Sequence, residues 1–167
     1  MKVLLLGMDG QVGHEIRAQL GQTLDLVAVG RSGLDLSQPA AIAPLVASVQ
    51  PAVIINAAAY TGVDSAETNQ ALAHQVNAIA PGELAQAASQ VGAALIHIST
   101  DYVFDGRQST PYQEVDPPRP LGQYGQSKLA GEQAVLRLAV LQPPREVLEP
   151  VRQGRELLGL AAPALAI

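Results

Sequence analysis

Apolar residues in this chain fall alternately into short unbroken runs and longer stretches of helical spacing. KVLLLG, residues 2 to 7, is a buried-strand run; a glycine turn follows, and Val12, Ile16 and Leu20 then recur at helical spacing. LDLVAVG, residues 24 to 30, is a second strand, and Asp35-Leu36 is a short strand or turn beyond it. Ser37 and Pro39 stand as N-cap and early-turn residues of a helix through about Val49, which Pro44 kinks or shortens. PAVIINAAAY, residues 51 to 60, is the next buried strand. Residues 61 to 92 read as a loop and a long helix with apolar spacing through Ala71, Leu72, Val76, Ile79 and Leu84, kinked or broken at Pro81. AALIHIST, residues 93 to 100, is the fifth strand. A Pro- and Gly-rich loop at 105 to 123 is long enough to be a functional cover, and a helix starting at Tyr124 runs to about Leu138.

Strands alternating with helices predict an α/β fold, a doubly wound parallel sheet of the NAD(P)-binding Rossmann type. In that reading Gly7, Gly10 and Gly13 have separate tasks: a tight turn, close approach of backbone to pyrophosphate, and close packing of helix on strand. The N-terminus of the following helix then faces the phosphates. Arg31, after the second strand, stands where an NAD-preferring enzyme carries an acid, so it leans towards the 2′-phosphate of NADP; a solvated loop arginine is the alternative. Asp35 either places a carboxylate by the adenine or caps the next helix. The alanines at 57 to 59 leave room for a ligand ring or simply pack tightly. Asn77 is a buried hydrogen-bonding residue or an exposed side chain.

Thr100, with Ser99 and Asp101, comes to the same sheet edge as the glycine turn. Its hydroxyl can bond a carbonyl oxygen that gains charge as hydride arrives, or it only ends the strand. Tyr124 and Lys128 are one helical turn apart and share a face, so a phenol and an ammonium converge. A free phenol ionises near ~10, and making its anion accessible near neutrality takes about 4 kcal/mol, part of which a fixed cation supplies. A chance Tyr-x-x-x-Lys is the competing reading.

Composition narrows the classes. The 167 residues make one domain, with 48% hydrophobic residues but 3% aromatic, hence an aliphatic core. A net charge of −5 argues against a broad grip on nucleic acid, and the absence of Cys excludes disulfides and thiolate chemistry. His74 reads as a surface residue and His97 as a packed or edge one; with three His and no ligand spacing, no metal site is expected. The apolar start is too short for a signal peptide, and the apolar end is about half a membrane helix, so a cytoplasmic protein with no membrane partner is expected.

The order strand, glycine turn, strand, alternating helices, strand ending in Ser/Thr, then Tyr-x-x-x-Lys resembles the extended short-chain dehydrogenase/reductase superfamily, whose glycine spacing is G-x-x-G-x-x-G. GMDGQVG (7–13), NAAAYTGVDSAE (56–67), VNAIAP (76–81), STDYVFDG (99–106) and PLGQYGQSKLAGE (120–132) narrow the likeness to the dTDP-4-dehydrorhamnose reductase family. The resemblance implies NADPH, with NADH as the alternative, and a dTDP-sugar substrate reduced at its C4 ketone. It implies that Gly10, Gln11 and Val12 touch pyrophosphate, Asp35 and Leu36 the adenine side, and Ala59, Tyr60 and Thr61 the nicotinamide-side ribose. Thr100 and Asp101 would contact the nucleotide-sugar, Tyr124 would give the proton, and Lys128 would hold ribose and stabilise the phenolate.

The likeness covers residues 1 to about 136. RLAVLQPPREVLEPVRQGRELLGLAAPALAI, residues 137 to 167, holds four Arg and four Pro and no family segment, so a frameshifted or truncated product lacking a C-terminal substrate domain is expected. Magnesium-linked homodimers occur in the family and Glu15 stands at a ligand position, but the other ligands would lie in the absent domain. Two further readings stay open: a non-catalytic nucleotide-binding or regulatory remnant, and another nucleotide-sugar reductase or epimerase.

Overall fold

The computed structural model describes residues 1–141 of the chain. Four strands, β1 (Lys2–Leu6), β2 (Asp25–Val29), β3 (Val53–Asn56) and β4 (Ala94–His97), form a sheet in the order β2-β1-β3-β4 with every pair parallel. Six α-helices accompany them: α1 (Gln11–Leu20), α2 (Ile42–Val49), α3 (Val63–Ala66), α4 (Gln70–His74), α5 (Ala80–Val91) and α6 (Gln123–Leu141). Parallel neighbours cannot be joined by a hairpin, so each connection crosses over, mostly through helix. The chain leaves β1 for β2 and then returns past β1 to β3. That reversal puts the switch point of the doubly wound sheet between β1 and β3, where their carboxyl ends diverge.

β1 lies in the interior of the sheet, and Val3 to Leu6 are all essentially inaccessible, which is why this strand reads as an unbroken apolar run. Leu4 and Leu6 join Ile54, Ile42, Val46 and Leu84 in the main core. Each such side chain, fully buried, contributes about 1.5–3 kcal/mol relative to exposure. α2 packs on α5, and α5 on α6, and α6 also lies against the end of β4 at His97.

Several expectations are corrected. Among the described residues the sheet has four strands, and AALIHIST contains the fourth and not the fifth. Of the two readings of Asp35-Leu36, strand or turn, the turn holds: the Asp35 carboxylate accepts the Ser37 N–H at 2.9 Å, and Leu34 and Leu36 turn into the core. Ser37 is therefore not a helix N-cap. A short 3₁₀ turn at Pro39–Ala41 intervenes, capped by Gln38 without a side-chain bond. Pro44 is the third residue of α2, in the first turn where an N–H is not needed, and produces no break. β3 ends at Asn56, so Ala57 to Tyr60 lie beyond the sheet. On α1 the apolar stripe is not buried: Val12 and Leu20 are exposed and only Gly13 is enclosed.

The long helix has an internal irregularity with an identifiable cause. Between α4 and α5 the residues Gln75–Ile79 form a π-helical turn in which the Ala80 N–H bonds the Gln75 carbonyl. Pro81 has no N–H to offer the Asn77 carbonyl, four residues back, and the widened turn accommodates that loss. Ala73, Asn77, Ala80 and Leu84 are enclosed, whereas Leu72, before the π turn, is exposed in the wall of a cleft and Ile79, within the turn, is exposed. A Cβ at Gly131 of α6 would overlap the Asn77 carbonyl oxygen, so the bare Gly131 lets α6 approach this spot. No helix among the described residues is long and apolar enough to cross a membrane. Of the tail expected to be atypical, residues 142–167 lie outside the described residues.

Candidate functional site

A cleft of about 330 Å³ opens at the carboxyl ends of β1, β2 and β3. Its floor is the glycine turn. Gly7 has φ +83°, and a Cβ there would meet the Ala57–Ala58 backbone at 2.7–2.9 Å, so a larger residue would be strained and would collide with the wall. The Gly7 N–H bonds Val29 O at 2.9 Å and the Gly10 N–H bonds Gly7 O at 3.0 Å, fixing the turn against β2. Gly13 would overlap the Gly7 carbonyl if it carried a Cβ, so helix and turn are in direct contact. Gly10 is the N-cap of α1 and provides no side-chain cap, leaving first-turn N–H groups free for an anion.

Of the residues expected to hold the cofactor, Gly7, Gly10, Arg31, Asp35, Leu36, Ala59, Tyr60 and Thr61 line this cleft. Gln11, Val12 and Gly13 do not; the first two lie along the outer groove of α1, together with Glu15. Arg31 pairs with Asp35 at 3.5 Å in solvent, and the Ser37 backbone N–H, ahead of its hydroxyl and Arg31, holds the Asp35 carboxyl below its ordinary range. Asp9 was not singled out by the sequence. It lines the cleft too, with its carboxylate lying over Gly30, where a Cβ would have to push it aside.

Tyr60 connects the cleft to the helix carrying Tyr124. Its backbone N–H donates to Asn77 Oδ1 at 2.8 Å, and its carbonyl accepts from Asn77 Nδ2 at 3.0 Å. Asn77 Nδ2 also donates to Ser127 Oγ at 3.0 Å, and Ser127 Oγ donates to the Tyr124 carbonyl at 2.7 Å. Asn77 is only 1% exposed, so the buried reading of this residue holds. Ser127, three residues after Tyr124 and on its side of the helix, is findable by that spacing alone. Asn56 gave no such signal: it ends an apolar run, yet its Oδ1 accepts the Ala58 N–H at 3.1 Å and so shapes the cleft wall.

Tyr124 is half-buried, with Tyr102 set edge-on to it at a ring separation of 5.6 Å. Lys128 is 1% exposed and donates to the Ile98 carbonyl at 2.6 Å. Burial lowers its pKa to about 8, against the opposing pull of Glu132. At neutral pH the group is therefore still mainly cationic. His97, equally buried, accepts at Nδ1 from Asn56 Nδ2 at 3.1 Å, which puts its proton on Nε2. That Nε2 has no hydrogen-bond partner among the described residues. Burial first, and the Lys128 charge second, lower the His97 pKa to about 3, so it is neutral.

Thr100 caps a short 3₁₀ turn at Asp101–Val103, its Oγ1 accepting the Tyr102 N–H and donating to Asp101 Oδ1, both at 3.3 Å. β4 has already ended at His97, so the hydroxyl shapes the next turn and does not end the strand, while Asp101 is exposed. Thr100, Asp101, Tyr124 and Lys128 lie outside the cleft lining, next to it through the Tyr60–Asn77–Ser127 connection. The expected cover loop is partly self-braced: Tyr112 stacks on Phe104 at 4.3 Å and donates to Asp105 at 2.7 Å. Among the described residues no cluster of three or more acidic or histidine side chains could hold a metal.

A family model described as the RmlD substrate binding domain matches residues 1–142. A dTDP-4-dehydrorhamnose reductase of Burkholderia thailandensis is 48% identical over 135 residues, covering 81% of this chain and 45% of that one. The crystal structure of a Clostridium acetobutylicum dTDP-4-dehydrorhamnose reductase superposes with a TM-score of 0.80 at 42% identity, over 83% of this chain and 50% of that one. The Bacillus anthracis dTDP-4-dehydrorhamnose reductase, solved in complex with NADP, gives 0.79 at 39% identity, over 82% and 49%. This chain spans about half the length of these relatives.

Proposed function

The chain belongs to the family described as the RmlD substrate binding domain, and on that premise we propose that it holds the cofactor cleft and proton-transfer pair of an NADPH-dependent reductase of dTDP-4-dehydro-L-rhamnose. The product is dTDP-L-rhamnose. The observation that carries the reading is the buried run Tyr60–Asn77–Ser127–Tyr124, which ties the wall of a Rossmann cleft to the helix bearing a phenol and a buried ammonium.

The cleft residues fit a dinucleotide. The uncapped start of α1 and the bare Gly10 suit pyrophosphate; the first-turn N–H groups of Gln11 and Val12 would serve it through backbone, with their side chains on the outer groove. Arg31, in the cleft lining after β2, would hold a 2′-phosphate by leaving its pair with Asp35. NADPH, when bound, supplies the hydride to C4. Tyr124 donates its proton to the C4 oxygen as negative charge develops there. The Lys128 cation, beside the phenol on α6, stabilises the phenolate left behind. Thr100 and Asp101, in the turn beyond β4, would contact the sugar.

The test is NADPH oxidation with dTDP-4-dehydro-L-rhamnose, run beside a fluorescence titration of NADPH. Turnover that Tyr124→Phe abolishes while NADPH still binds is the expected result. Binding without turnover by the folded parent chain would assign a nucleotide-binding unit instead, and absence of binding would defeat both.

A further inference from the structure

One carboxylate near the site has no role in the chemistry above. Glu132 follows Lys128 by one helical turn on α6, and it accepts the Ser99 hydroxyl across the gap between α6 and the end of β4. The segment it grips is short and eventful. Lys128 donates to Ile98 O, Ser99 donates to Glu132, and Thr100 caps the turn that presents Asp101 and Tyr102. Three consecutive residues are thus fastened, two to α6 and one to the turn beyond. Ile98 and Ser99 take partners one turn apart on the same helix, so the two contacts together fix both the distance and the rotation of this segment relative to Tyr124. One bond alone would leave it free to swivel.

We propose that Glu132 is a positioning residue: its carboxylate locks Ser99, and through it Thr100, in register with Tyr124, and, one helical turn from Lys128 on α6, it sets a negative charge next to that buried ammonium. The proposal rests on the reductase reading above and adds to it a residue that touches neither sugar nor cofactor. Among the described residues, Glu132 on its own helix and His97 on β4 interact electrostatically with Lys128, and Tyr124 stands one helical turn before it. Glu132 is the one whose charge opposes the loss of the Lys128 proton on burial, and neutral His97 does not compete for it.

The experiment separates charge from tether. Glu132→Gln keeps an acceptor for Ser99 and removes the charge; Ser99→Ala keeps the charge and removes the tether. The chain has two lysines, Lys2 and Lys128, so ¹³C-lysine labelling gives two resonances, assigned by Lys2→Arg, and their pH titration is read by NMR. The Lys128 midpoint, about 8 in the parent chain, falls to lower pH in Glu132→Gln and stays in Ser99→Ala. In the NADPH oxidation assay both variants lower kcat more than KM for NADPH. An unchanged Lys128 midpoint in Glu132→Gln overturns the proposal, as does an equal fall in both variants, which would mean that loosening and not charge moves the lysine. The titration needs no turnover, so an inactive parent chain would count against the reductase reading while leaving this question decided.

Discussion

Replacing Asn77 by Ala tests the connection between cleft and helix most directly. Asn77 makes three side-chain hydrogen bonds, two with the Tyr60 backbone and one with Ser127, in a position 1% exposed to solvent. The alanine leaves the Tyr60 N–H and carbonyl without these partners in a half-buried strap, and each such group costs about 1–3 kcal/mol. Ser127 loses less, since its hydroxyl still bonds Tyr124 O. The sum is roughly 3–5 kcal/mol, a large part of the ~5–15 kcal/mol that holds an ordinary domain folded. Urea unfolding followed by far-UV circular dichroism measures it, the chain having no Trp. Asn77→Asp is the comparison: it still accepts the Tyr60 N–H but offers no donor to Tyr60 O, and it buries a charge. NADPH titration of the folded fraction should show weakened binding in both variants, because Tyr60 lines the cleft. A loss of stability below about 1 kcal/mol, with NADPH affinity unchanged, would refute the view that Asn77 holds the strap.

Other outcomes follow from the buried titratable groups and the helix contact. His97 has a pKa of about 3 against an ordinary 6.5, so between these values the unfolded chain binds a proton that the native chain refuses. Stability therefore falls as pH drops from about 6.5 to about 3, by roughly 5 kcal/mol, and the urea midpoint of His97→Gln should vary less over that window. Lys128 is lowered from 10.5 to about 8, so the folded state sheds its proton first and stability rises with pH across that interval by roughly 3 kcal/mol. Lys128→Met should remove that rise, again read from urea midpoints. Gly131→Ala places a methyl against the Asn77 carbonyl; backbone cannot yield as a flexible side chain would, so a loss of about 1–3 kcal/mol is expected in thermal unfolding despite alanine's better helix propensity.

Much of the fold was legible because its signals are local. The continuous run at Val3 to Leu6 marks a strand buried on both faces, and the glycines at 7, 10 and 13 mark a turn where any Cβ strikes backbone or crowds the approach to an anion. Tyr124 and Lys128 share a helix, so their proximity follows from spacing alone. Asp35-Leu36 stayed open between strand and turn because a short apolar–polar alternation is compatible with both, and the Asp35–Ser37 bond decides for the turn. Leu72 and Ile79 misled for different reasons: Leu72 faces the open cleft instead of the core, and Ile79 sits within the π turn before Pro81, where the 3.6-residue period does not hold.

By itself the amino-acid order determined the strand-turn-helix units, the glycine cradle and the pairing of phenol with ammonium on one helical face, since each depends on residues within a few positions. Tertiary structure alone decided which polar groups would be enclosed and whom they would bind. Asn77 reaches Tyr60 across 17 positions and Ser127 across 50, Asn56 meets His97 across 41, and Ser99 meets Glu132 across 33. Such pairs are chosen by the packing of α5 and α6 against each other and the sheet. A buried polar atom must find a partner wherever the fold brings one, and no local pattern records the far end of that bond.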